Sequence, residues 1–134
     1  MGLNESELKS LVDAASTARL SAYAPYSNFL VGAAILSVDG QIFTGCNVEN
    51  ASYGLGICAE RSAVSAAVLQ LQKSWRAIAV ASRGAVTPCG ACRQVLFEFG
   101  ATLDVILVDA ESGEIRARWT TESLLPGAFS LCKQ

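Results

Sequence analysis

The chain contains no histidine among its 134 residues. Proton transfer near neutral pH therefore cannot use imidazole, and no metal site can take a histidine ligand. Charge is also scarce: 16% of residues are charged, ten basic against twelve acidic, for a net of −2. No run of Lys or Arg appears, which argues against a nucleic-acid backbone as partner. No stretch approaches the roughly 20 apolar residues of a membrane span. The first ten residues, MGLNESELKS, have neither the basic start nor the apolar middle of a secretory signal. The expectation is a cytoplasmic protein, in whose compartment thiols stay reduced. Only three prolines occur, and no linker, repeat or low-complexity tract is visible. One domain over residues 1–134 is expected.

What is present is apolar. The hydrophobic fraction is 51%, high for a small domain, so part of the surface is expected to be covered by other subunits. Asn4 is placed to cap a first helix running to about Tyr23, with Glu7 at the capping-box position and Leu8, Leu11, Val12 and Ala15 as its apolar stripe. Residues 24–28 break it. Phe29 to Val38 reads as a buried strand, Asp39-Gly40 as a hairpin turn and Gln41 to Val48 as the antiparallel partner. A loop from Glu49 to Gly56 leads to a helix from Cys58 to about Gln72, then a short strand at Ala77 to Ala81. A further helix starts near Cys89 and stops at Gly100, taken as its C-terminal cap. Strands at Leu103 to Val108 and Glu114 to Thr120 flank a turn, and a short helix covers Thr121 to Leu125. That order implies an α/β fold: a three-layer α/β/α single domain with a mixed five-stranded sheet.

Two short stretches carry the chemistry, Cys58-Ala59-Glu60 and Pro88-Cys89-Gly90-Ala91-Cys92. Cys89 and Cys92 lie three apart, so at a helix start both sulfurs face one side. Pro88 precedes them where its missing N–H does no harm. Cys58 starts its own helix, and two helix N-termini then favour thiolate at a common point. Three thiolates and a nearby carboxylate fit a zinc ion, one per subunit, with an open fourth position and Glu60 as proton carrier; such a site acidifies water near pH 7. Three thiolates overcompensate the dication, and Arg61 is placed to donate to a ligand sulfur and offset the excess. Two other readings of these cysteines remain: a closed structural site with Cys46 as fourth ligand, and a redox dithiol at Cys89 and Cys92. A closed site would leave Glu60 without a role.

With these motifs in order, the sequence resembles the small homotetrameric cytidine deaminases. The likeness runs through Tyr26-Ser27-Asn28-Phe29, Val31-Gly32-Ala33-Ala34, the run from Gly45 to Tyr53, Cys58-Ala59-Glu60-Arg61, Pro88 to Gln94, and Leu124-Leu125-Pro126-Gly127-Ala128-Phe129. Thr87 stands where many relatives carry Ser. The resemblance implies that Cys58, Cys89 and Cys92 hold zinc while Glu60 shuttles protons during attack at C4 of cytosine and loss of ammonia. It implies that Asn47 and Glu49 hold ribose hydroxyls, that Phe29 lines the base pocket, and that the Ala59 and Cys89 N–H groups hold the base's polar edge. Tyr53 and Phe129 would complete a neighbour's site in a homotetramer. The implied partner is a small nucleoside, with no nucleic acid and no membrane.

Blander readings stand beside these. By periodicity alone Phe29 is a core residue; Phe129 caps the core; Asn47 is a turn residue and Glu49 a solvated carboxylate. Cys46 and Cys132 are small apolar side chains, and Arg93 pairs with a ligand or a neighbouring subunit. Competing functions are a blasticidin-type antibiotic deaminase, a polynucleotide deaminase and a zinc-stabilised interaction module.

Overall fold

A computed structural model describes residues 2–131, so the expectation for Cys132 lies outside the described residues. The first helix, α1 (Glu5–Arg19), starts as its sequence indicates. Asn4 Oδ1 accepts the Glu7 N–H at 2.8 Å, and Glu7 Oε1 accepts the Asn4 N–H at 3.1 Å. It ends earlier than the periodicity suggests. The backbone of Tyr23 is taken by Asn47 and Glu49, with N–H···O distances of 2.9 and 2.8 Å, so residues 20–22 turn out of the helix.

The strands β1 (Gly32–Ser37), β2 (Ile42–Cys46), β3 (Trp75–Ser82), β4 (Asp104–Asp109) and β5 (Ile115–Thr120) form one sheet in the order β2-β1-β3-β4-β5. Every neighbouring pair is antiparallel except β3 and β4, giving the expected mixed sheet. A parallel pair needs a crossover, supplied by α3 (Gly90–Glu98). Helix α2 (Ala59–Leu69) joins β2 to β3, and α4 (Thr121–Leu124) follows β5.

Alternation along the strands sorts the core into two layers of contact. Ala34, Leu36, Ala77, Ala79, Ala81, Ile106 and Val108 face α1 with its buried Leu11 and Ala15. Ala33, Ile35, Ile78, Val80, Val105 and Leu107 face the other way, onto Ala59, Ala63 and Ala67 of α2 and Leu96 of α3. This is the α/β/α sandwich that the element order predicted. Two glycines allow close approach. A Cβ on Gly32 would stand 2.1 Å from the Ala15 carbonyl oxygen, and one on Gly45 2.3 Å from the Ala63 nitrogen. Small residues thus let α1 and α2 sit directly on the first hairpin.

Two boundaries differ in ways that matter for the site. Residues 29–31 are not strand: Asn28 has φ 57°, and Asn47 clamps the segment that follows. Gly100 is not a left-handed cap either; α3 closes on Phe99, whose ring stacks on Trp75 with centroids 4.2 Å apart.

Candidate metal centre and cavity

Cys58 and Cys89 occupy the N-cap positions of α2 and α3, and Cys92 lies on the first turn of α3, fully buried. The three sulfurs lie within 4.8 Å of one another, with Cys58 Sγ and Cys89 Sγ 3.9 Å apart. A tetrahedral ion with Zn–S bonds of about 2.3 Å spaces its sulfurs by roughly 3.8 Å, so the cluster has the dimensions of a zinc site. Soft thiolates also select zinc over hard cations. Cys46 is not in the cluster, so the reading with Cys46 as fourth ligand is not supported by the described residues.

Arg61 Nη2 donates to Cys58 Sγ at 3.5 Å, the contact expected of a charge-offsetting group. The Cys58 and Cys92 thiols differ sharply in acidity. A hydrogen bond from the Cys92 thiol, helped by Arg61 and Cys89, pulls Cys58 down to about 5 against the effect of burial. The same bond, with burial and the nearby Glu60 charge, pushes Cys92 far above the ordinary thiol range. Glu60, on the first turn of α2, is only 5% exposed. Burial pushes its carboxyl up, and the Cys58 charge adds to this, while its own backbone N–H and Arg61 oppose it. A carboxyl raised in this way suits a group that must both take and give a proton.

The cluster opens into a cavity of about 450 Å³ lined by Phe29, Asn47, Glu49, Tyr53, Cys58, Ala59, Glu60, Arg61 and Cys89, among others. Most sequence-predicted site residues therefore meet in one place. Phe29 belongs to this wall and not to the core, the reverse of what periodicity indicates. Asn47 turns its side chain on the same segment: Oδ1 accepts the Val31 N–H at 2.8 Å and Nδ2 donates to the Phe29 carbonyl at 2.9 Å. An amide has two donors and two acceptor lone pairs, so one of each remains for a ligand. Glu49 accepts the N–H groups of Tyr26 and Ser27 and the Ser27 hydroxyl, which holds its carboxyl below the usual value. Ala59 is the first residue of α2, so its N–H has no intrahelical acceptor.

Two predicted residues stand apart. Tyr53 is at the cavity rim but 89% exposed, and Phe129, 67% exposed, does not line the cavity of its own chain. Among the described residues Arg93 is not bonded to a ligand sulfur: Nε donates to the Pro88 carbonyl at 2.7 Å and Nη1 to that of Leu124 at 2.9 Å. It ties the approach to Cys89 to the end of α4. Of residues 83–87, which supply Val86 and Thr87 to the wall, the sequence marks only Thr87, and without a role; Gly84 is the other local signal. Ser27 stands in a family-like motif that by itself gives it no role; its hydroxyl donates to the Glu49 carboxylate.

The family model for the cytidine and deoxycytidylate deaminase zinc-binding region matches residues 5–108. A cytidine deaminase of Sporosarcina psychrophila is 46% identical over 127 residues, covering 92% of each chain. One from Halalkalibacterium halodurans is 45% identical over 122 residues, covering 90% of this chain and 92% of its own. The crystal structure of a cytidine deaminase from Burkholderia pseudomallei superposes with a TM-score of 0.86 at 48% identity, covering 95% of this chain and all of that one.

Proposed function

The chain belongs to the zinc-binding cytidine and deoxycytidylate deaminases, and we propose that it hydrolyses cytidine and 2′-deoxycytidine to the uracil nucleosides and ammonia. The observation that carries this is the convergence of Cys58, Cys89, Cys92 and the buried Glu60 on a cavity that also holds Phe29, Asn47 and Glu49. Zinc is the cofactor; when bound, it supplies Lewis acidity to a water at the position the three sulfurs leave open. Glu60 would take a proton from the attacking water and deliver it to N3 of the pyrimidine as the oxygen bonds to C4; it would then take that oxygen's second proton and give it to the amino group as the C4–N bond breaks and ammonia leaves. Phe29 packs against the base, and the Ala59 N–H donates a hydrogen bond to the base's polar edge. Asn47 and Glu49 orient the sugar through its hydroxyls. Arg61 neutralises part of the thiolate charge.

The whole chain acts as one catalytic domain, and a homotetramer is its working form. Exposed apolar side chains support the assembly: Leu20, Tyr53, Leu69, Leu71 and Phe129 are each more than half exposed in the single chain. Phe129, exposed and absent from the lining of its own cavity, would complete a neighbour's. No described helix is long and apolar enough to cross a membrane. The free thiols of Cys46, Cys58, Cys89 and Cys92 support a place in the reducing cytoplasm.

The test is a rate measurement by ultraviolet absorbance with cytidine, deoxycytidine, cytosine and a blasticidin-type antibiotic, alongside zinc analysis and light scattering. Both nucleosides should turn over in protein carrying one zinc per chain, at four times the 14.0 kDa chain mass. Turnover of the antibiotic alone, or full activity in metal-free protein, would reject the reading.

A further inference from the structure

Between β3 and α3 the chain makes a turn over residues 83–87 before Pro88 and the Cys89 sulfur. Gly84 and Ala85 both have left-handed backbones there, at φ 83° and 52°. For an alanine that conformation is unfavourable by itself, although the Ala85 methyl is packed against the core. The turn is held from the carboxyl ends of the two parallel strands, whose register sets Ser82 opposite Asp109. Ser82, fully buried, accepts the Val86 N–H on Oγ at 3.0 Å and the Ala85 N–H on its carbonyl at 3.1 Å. Asp109, nearly buried, accepts the Gly84 N–H at 3.1 Å. Its carboxylate also takes the Arg116 guanidinium at 2.8 Å, the Ser112 hydroxyl at 3.0 Å and the Glu111 N–H at 3.3 Å. Of these donors the Gly84 N–H does most to hold the Asp109 carboxyl below its ordinary value.

The turn so held is one wall of the cavity. Val86 and Thr87 line it, Cys89 follows after Pro88, and the Arg83 guanidinium carbon stands 6.0 Å from the centroid of the Phe29 ring. We propose that Asp109, which lines neither the cavity nor the sulfur cluster, is a positioning residue: through the Gly84 N–H it sets the 83–87 turn, and with it the Cys89 sulfur and the Val86–Thr87 wall. Ser82 assists through Val86. The wall's part in substrate binding rests on the nucleoside reading above, whereas the hold on Cys89 does not, and the two are separable.

The experiment uses the full zinc-loaded chain and reads two quantities: the rate at which a chromophoric chelator strips zinc, and KM and kcat for cytidine. Asp109→Ala should release zinc about tenfold faster than the unmodified chain, as expected when a group supporting a metal ligand is lost, and should raise KM more than it lowers kcat. Asp109→Asn keeps an acceptor oxygen for Gly84 and should recover most of the zinc retention. Arg116→Gln removes the ion pair but leaves the Gly84 bond, so both readouts should stay at the unmodified values. A folded Asp109→Ala protein with unchanged zinc release and KM would overturn the proposal, as would Arg116→Gln matching Asp109→Ala. Should Asp109→Ala fail to fold, Ser82→Ala takes its place: faster zinc release and a higher KM support the turn's role, and unchanged values overturn it. If the unmodified chain does not deaminate cytidine while Asp109→Ala still sheds zinc faster, the nucleoside reading falls and the positioning role stands.

Discussion

The helices of this protein begin in two different ways. At α1 and α4 the first N–H groups are satisfied locally, by Asn4 with Glu7 and by Thr120 with Ser123, each pair bonding reciprocally. At α2 and α3 the capping positions belong to Cys58 and Cys89, whose side chains make no capping hydrogen bond. Sulfur is a weak acceptor, so a cysteine there gives up much of the roughly 1 kcal/mol that a polar cap supplies. What the helix start loses in local satisfaction, the cavity gains as unpaired N–H groups and a positive helix end beside the thiolates. Stability is thus built at the starts that face away from the chemistry, and withheld at the two that face it. Consistency between local and global preference fails where function is concentrated.

The sharpest way to break this contrast is to give α3 the kind of start that α1 has. Cys89→Ser places a good capping residue at the helix start and removes one soft ligand. Zinc content and cytidine turnover should both collapse, while the metal-free variant should resist urea at least as well as the metal-free parent chain. Stoichiometric zinc with full activity would remove Cys89 from the ligand set; a less stable metal-free variant would undo the capping argument. Glu60→Gln comes next in size. The amide keeps the shape of a buried group that carries a raised carboxyl, so fold and zinc should persist while kcat falls by about 10³-fold or more. A rate near that of the parent would take the proton from Glu60. Smaller again is Arg61→Gln, which leaves the three sulfurs without their cation. Turnover should fall moderately and the pH–rate profile should move to higher pH; an unmoved profile would mean that the Arg61–Cys58 contact offsets nothing that catalysis needs.

Features set by near neighbours in the chain were legible in the sequence, and those set across the fold were not. The Asn4–Glu7 capping box is an exchange between residues three apart, and it forms as its pattern indicates. Cys89 and Cys92 lie on one side of a helix start for the same local reason, and the apolar runs read as strands form β1, β3 and β4, buried on both faces. Phe29 shows the limit. Its place beside an apolar run points to the core, yet Asn47, eighteen residues on, takes its carbonyl and turns the segment into the cavity wall. Arg93 likewise bonds carbonyls at Pro88 and Leu124, contacts that no periodicity encodes. The early end of α1 has the same origin, in Tyr23 pairing with Asn47 and Glu49. The motif resemblance locates Phe29, Asn47, Glu49 and Arg93, but their partners come from the three-dimensional arrangement.

The smallest effects lie at the other kind of helix start, where stability and catalysis should separate. Asn4→Ala should lower unfolding stability by about 1 kcal/mol and leave kcat for cytidine unchanged, since Asn4 is remote from the cavity wall. Glu7 adds a pH signature. The Arg76 guanidinium, bonded to its carboxylate at 2.6 Å, together with the Asn4 N–H, holds its carboxyl below the ordinary value of 4.5. Folding therefore favours the ionised form. That contribution is complete above the unfolded value and is lost as the pH falls through the lower folded one. Glu7→Gln keeps a side chain able to close the capping box but has nothing to titrate. Between about pH 5 and about pH 3 the parent chain should lose urea resistance more steeply than Glu7→Gln. Equal slopes would leave the acid response to Asp39, Glu49 and Asp109, whose carboxyls are also held low, and the well-capped start of α1 would then owe its stability to geometry and not to charge.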